Sequence, residues 1–183
     1  MKETIKITGV LTSVCVICAF GLAFVFNTAK DKIEENAKKR INQSIFKIEP
    51  DTVNVEKIFS DNNVIYKLFN DTNKIIGYAF LADGQGYQGK IKILSVSDPT
   101  LKHLIGIEII DSVETPGLGA KIGDPSFKDQ FKGLNTLPKI VYIKDTVEKS
   151  NQIQAITGAT ISSKAVVNIL NQRLLKLKDE LSL

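Results

Sequence analysis

An α+β fold behind a single N-terminal membrane helix is predicted by three features of this sequence. A charge-free apolar run occupies residues 7–26, several strand-like segments follow one another between 64 and 110, and an amphipathic helical pattern closes the chain. With 183 residues, there is room for one compact domain plus an anchor but not for two ordinary domains. The composition is that of a folded chain, 43% hydrophobic and 24% charged. The net charge of +4 is spread among interspersed lysines and acids, which argues against a nucleic-acid partner.

The run at 7–26 reads ITGVLTSVCVICAFGLAFVF. As a helix it extends roughly 30 Å, the thickness of a bilayer core. It is too long for the apolar part of a signal peptide, and Asn27, Thr28 and Ala29 make a poor cleavage site. Residues 1–28 are therefore expected to be an uncleaved transmembrane anchor and residues 29–183 the folded domain. Lys30, Lys32, Lys38, Lys39 and Arg40 after the span, against Lys2 and Lys6 before it, leave the side of the membrane open, because a long following domain crosses largely regardless of charge. Cys15 and Cys18 share one face of this helix. They read as small packing residues at a helix contact, or as a membrane-embedded redox or metal pair. No other cysteine occurs, so the domain has neither a disulfide nor a catalytic thiol; His103 is its one histidine, with no carboxylate partner evident nearby.

Ile33, Ala37, Ile41, Ile45 and Ile48 recur at helical spacing, so residues 29–48 are expected to form a helix that Pro50 ends. Strands are expected at 64–69, 74–81, 90–97 and 103–110, separated by the turn residues 70–73, a glycine loop at 83–89 and the Asp98-Pro99 break. Consecutive strands with short connections imply an antiparallel meander. A short helix around 127–131, a strand at 139–143 and a final helix at 161–181 complete the domain, the last with Ala165, Ile169, Leu170, Arg173, Leu174 and Leu177 on one face and lysines opposite.

Three glycine-containing segments carry the chemistry. In the first, Thr157, Gly158, Ala159, Thr160, Ile161, Ser162 and Ser163 stand where a loop opens into the last helix. The first N–H groups of a helix lack internal partners and the dipole adds positive charge, so a phosphate is accommodated there. No lysine-bearing phosphate loop is present, which excludes a nucleotide triphosphatase, and by itself the segment reads as an ordinary N-cap. In the second, Glu114, Thr115, Pro116, Gly117, Leu118 and Gly119 favour a type II turn whose N–H groups face a flat polar ring, or simply a tight turn. The third places Gly86 and Tyr87 in a hairpin, with the tyrosine free to stack on a ring. Glu108, Asp111 and Glu114 also admit a carboxylate pair for hydrolysis.

ETPGLG at 114–119 followed by TGATISS at 157–163, with GYQG at 86–89 and one N-terminal span, resembles the RnfG/NqrC family of FMN-binding subunits over essentially the whole chain, and RnfG more than NqrC in length. The resemblance implies an FMN joined through its phosphate to Thr160, installed by a flavin transferase from FAD. It also places Thr115, Leu118 and Glu114 near the isoalloxazine ring. Gln154 stands where the family pattern carries aspartate, a departure that bears on transfer efficiency. By the same resemblance the chain is an electron carrier in a ferredoxin:NAD oxidoreductase that moves sodium or protons. It would work with membrane, iron–sulfur and flavin subunits, and its domain would lie outside the cytoplasmic membrane. The alternatives are a stand-alone anchored flavoprotein for extracellular electron transfer, and a non-redox anchored assembly module.

Overall fold

The computed structural model describes residues 2–60 and 63–181. Helix α1 spans Lys2–Ile48, and the chain divides into two compact units, Met1–Arg40 and Ile41–Leu183. In the first unit α1 is a lone helix, long and apolar enough to cross a membrane, with its apolar side chains exposed. Thr8, Thr12 and Ser13 turn their hydroxyls back onto carbonyls four residues earlier, which satisfies them without a partner in an apolar surrounding. Cys15 and Cys18 are free thiols on this helix, and no metal-binding cluster of three or more His, Cys, Asp or Glu occurs among the described residues.

In the second unit, strands β1 (Asn54–Ser60), β2 (Asn63–Phe69), β3 (Ile75–Gln85), β4 (Lys90–Ser97), β5 (His103–Ser112) and β6 (Leu134–Asn135) form one sheet in chain order, every pair antiparallel. This is the meander expected, and with α2 (Pro125–Lys128) and α3 (Thr160–Leu181) it makes an α+β domain. Period-two alternation supplies two cores. Ile91 and Ile93 of β4 face α3 together with Phe80, Phe127 and Phe131, while Leu94 and Val96 face Ile41 and Ile45 on the other side. Helix α3 buries Ala165, Ile169, Leu170, Leu174 and Leu177 on the first face. Arg173 lies on this buried stripe because Glu180, two turns on, receives its guanidinium in two 2.9 Å hydrogen bonds, and Phe80 lies beneath it.

Several elements depart from the sequence expectation. Ile33 and Ala37 share helical spacing with Ile41 and Ile45 but are exposed; burial begins only at Ile41. Strand β3 runs on to Gln85, so the glycine loop contracts to a turn closed by Gly86 N donating to Gly89 O at 2.7 Å. Gly84 is a strand residue, glycine because an added Cβ would lie 2.6 Å from Ile169 of α3. The strand expected at 139–143 is β7 (Val141–Ile143), which pairs parallel with β8 (Gln152–Gln154) outside the main sheet. Ile140 is withheld from the ladder because its N–H and C=O both bond the Asn171 side chain of α3. His103 does have a carboxylate neighbour, Asp98, 3.3 Å from its Nδ1. That carboxylate closes the β4–β5 turn by accepting from Thr100, Lys102 N and His103 N as well.

Candidate functional site

A cleft of about 380 Å³ opens where three segments distant in sequence meet. Its walls are Tyr87 from the β3–β4 hairpin, Glu114, Thr115, Leu118 and Gly119 from the loop after β5, and Gly158, Ala159, Thr160, Ile161 and Ser162 from the entry to α3. Most of the residues singled out from the sequence thus converge on one site. Gly86, Gly117, Thr157 and Ser163 do not line it. Gly86 closes the hairpin turn onto Gly89, Gly117 supplies the turn after β5 and Thr157 is exposed. Ser163 is buried, accepting from Ile156 N and donating to Ala159 O, so it shapes the loop rather than facing the cleft.

The loop after β5 turns at Thr115 to Leu118. Gly117 has φ of 78° and Leu118 N donates to Thr115 O at 3.2 Å, as a type II turn requires. Ala120 N donates to the same carbonyl at 3.0 Å, leading the chain into a 3-10 turn over Gly119–Gly123. At the opposite wall Gly158 has φ of 80°, and the first intrahelical bond of α3 is Ser163 N to Ala159 O. The N–H groups of Thr160, Ile161 and Ser162 come before that bond and donate to nothing among the described residues. The Thr160 hydroxyl likewise makes no hydrogen bond among the described residues.

Glu114 ties the walls together. Its side chain is 5% exposed. Oε1 accepts from Tyr87 N at 2.7 Å and Gln88 N at 3.2 Å, and Oε2 accepts from Ser162 Oγ at 2.6 Å. Glycines on two sides make room for it. A Cβ on Gly119 would fall 2.5 Å from Oε2 and 2.6 Å from Ser162 Oγ, and one on Gly86 would collide with Oε1. Gly119 and Gln88, not singled out as site residues from the sequence, belong to this arrangement; their local signals were the ETPGLG and GYQG segments in which they stand.

Glu108 and Glu114, two of the acids considered for hydrolysis, do not form a pair. Glu108 lies in a different pocket, held by Lys128 at 2.6 Å and Lys47 at 3.4 Å, whereas Glu114 faces the cleft. Among the described residues, no lysine or arginine lines the cleft.

These residues fit an FMN on two structural counts. The unpartnered N–H groups at the start of α3 can receive a phosphate beside the free Thr160 hydroxyl. Tyr87, Leu118 and Ile161, which are 63%, 49% and 58% exposed, offer apolar surface at the rim for a flat ring.

Comparison with known proteins agrees. The family described as FMN-binding domain matches residues 86–174. A Haemophilus influenzae protein, the G subunit of an ion-translocating oxidoreductase complex, is 30% identical over 187 residues, covering 90% of this chain and 87% of its own. The corresponding Methanosarcina acetivorans protein is 28% identical over 184 residues, covering 93% and 94%. A more local match, 43% over 101 residues and 54% of this chain, is to the G subunit of the sodium-translocating ferredoxin:NAD oxidoreductase complex of Acetobacterium woodii, 47% of which is covered. In fold the chain is similar to Shewanella oneidensis NqrC, with a TM-score of 0.57 at 19% identity over 69% of this chain and 67% of that one.

Proposed function

This chain belongs to the RnfG/NqrC family of FMN-binding subunits, and on that premise we propose that it is the electron-carrying subunit of a membrane-bound, ion-translocating ferredoxin:NAD oxidoreductase, with FMN covalently held at Thr160. The observation that carries this reading is the Thr160 hydroxyl, which like the N–H groups that open α3 has no partner among the described residues.

Attachment exchanges the Thr160 O–H for an O–P bond to the flavin phosphate of FAD; the pyrophosphate bond breaks, AMP leaves with its bridging oxygen, and the hydroxyl proton passes to a base of the flavin transferase. The charge of the cleft favours the joined form over a free cofactor. A free phosphomonoester carries about −1.5 to −2 at neutral pH, whereas a diester carries a single charge. A helix N-terminus contributes roughly half a positive charge, and among the described residues no lysine or arginine lines the cleft to neutralise more.

The bound FMN supplies one- and two-electron redox chemistry; the chain's residues bind and orient it. Gly117 makes the type II turn from which Thr115 and Leu118 reach the cleft. Tyr87, Leu118 and Ile161, exposed at the rim, would hold the flavin ring. A tether keeps the cofactor from being lost on the extracytoplasmic side of the membrane, the side assigned to the domain at 29–183, with residues 1–28 as the anchor. The neighbouring membrane, iron–sulfur and flavin subunits are the partners, and the anchor docks among them.

Intact-mass measurement of the full chain co-expressed with a flavin transferase tests the attachment. An FMN-sized increase and yellow colour, both absent from Thr160→Ala, are expected. An unmodified wild-type chain beside an active transferase would sink the proposal and direct attention to Gln154.

A further inference from the structure

Glu114 is the only charged side chain among the described residues that line the cleft, and it is almost fully enclosed. Enclosure of this kind is costly for a side chain whose only task is packing. Three donors offset the cost: Tyr87 N, Gln88 N and Ser162 Oγ. They come from two different walls, so the carboxylate cannot turn away without releasing both. No cationic side chain among the described residues lines the cleft, and at 5% exposure salt screens the charge little. Two glycines, Gly86 and Gly119, keep open the space that the carboxylate occupies. The result is a negative charge of fixed position beside Thr160, in the space where the flavin is to be held.

We propose that Glu114 sets the reduction potential of the flavin carried at Thr160. This inference rests on the functional reading above. Reduction adds negative charge to the flavin ring, and a fixed anion nearby disfavours that change. Glu114 therefore makes the flavin a stronger reductant than the same ring would be in an uncharged cleft. The hydrogen bond from Ser162 moderates the effect, because its dipole points positive end towards the carboxylate. Glu114 acts here as a positioning residue: it holds the walls in register and fixes the charge, while the flavin itself exchanges electrons.

The experiment is a spectroelectrochemical titration of the full-length flavinylated protein in detergent, comparing wild type with Glu114→Gln and Ser162→Ala. Glutamine can still accept from Tyr87 N and Gln88 N, and its amide can donate to Ser162, so the walls stay tied while the charge goes. The midpoint is read on the flavin that each variant carries, so a change in loading does not enter it. The midpoint potential should rise by the equivalent of about tenfold in the reduction equilibrium, about 30 mV for a two-electron couple. Ser162→Ala keeps the charge and removes one donor, so its midpoint should fall. A merely structural role for Glu114 predicts no shift in flavin-loaded Glu114→Gln, and that result would overturn the proposal. If Glu114→Gln does not fold, Ser162→Ala decides, and a midpoint unchanged or raised there overturns it equally. A wild-type chain carrying no FMN would instead overturn the reading on which the inference rests.

Discussion

Glu114 Oε2 and Ser162 Oγ lie 2.6 Å apart although 48 residues separate them in the chain. This one contact joins the loop after β5 to the first turn of α3, and through Oε1 it also holds the hairpin at Tyr87 and Gln88. Ser162→Ala removes the hydroxyl while leaving the carboxylate buried. A loss of about 1–3 kcal/mol is expected, read as a lower Tm for the detergent-solubilised protein. Faster hydrogen exchange at the Tyr87 and Gln88 amides should accompany it.

Two glycines of the same loop should respond differently to alanine. At Gly117 a new Cβ meets nothing within 4 Å, so only the positive φ is strained, at about 1–2 kcal/mol. At Gly119 the Cβ would press on both Glu114 and Ser162 and open the junction between walls. Gly119→Ala should therefore lower flavin incorporation more than Gly117→Ala does. Parallel measurement of FMN per chain by absorbance checks the order.

Helix α1 enters the core at Ile41 and Ile45. Ile45 is fully buried against the sheet, whereas Ile33 is 60% exposed on the same helix. Ile45→Ala should cost about 2–5 kcal/mol and Ile33→Ala within about 0.5 kcal/mol. Chemical denaturation of the full chain distinguishes them.

Asp98 gives the β4–β5 turn a defined pH response. Burial alone would raise its carboxyl, but hydrogen bonds from Thr100, His103 and Lys102 outweigh this and hold it below the ordinary value of 3.8. A depressed acid stabilises the fold fully above its unfolded value and loses that contribution as pH falls through the folded one. Wild type should therefore exceed Asp98→Asn in stability at neutral pH, with the gap closing below about pH 4. Thermal unfolding between pH 7 and 3 tests this; a gap constant across that range would refute it.

Much of the architecture was legible because it rests on local pattern. The charge-free run at 7–26, the alternating strands around short turns and the 3.6-residue stripe of α3 each have a period that the chain itself displays. What lacked such a period went unread. Strand β1 is an edge strand only partly buried at Val55 and Ile58, and β6 and β8 are two and three residues long. The end of the 83–89 loop was likewise beyond local reading, because Gly84 and Gln85 extend β3 only by pairing with Ile91 and Lys90.

The site divides in the same way. Composition and spacing by themselves determined that a loop holding Gly158 and Thr160 opens into a helix at about 161, that Pro116 and Gly117 make a turn, and that no lysine-bearing phosphate loop is present. Each of these is a property of consecutive residues. Only the tertiary structure decided that the two segments and the 86–89 hairpin form one cleft, and that Glu114 is its fixed anion rather than half of a carboxylate pair with Glu108. The reason is physical: a buried carboxylate stays where donors can satisfy it, and its donors come from chain segments that only the packing of α3 against the sheet brings within hydrogen-bonding distance.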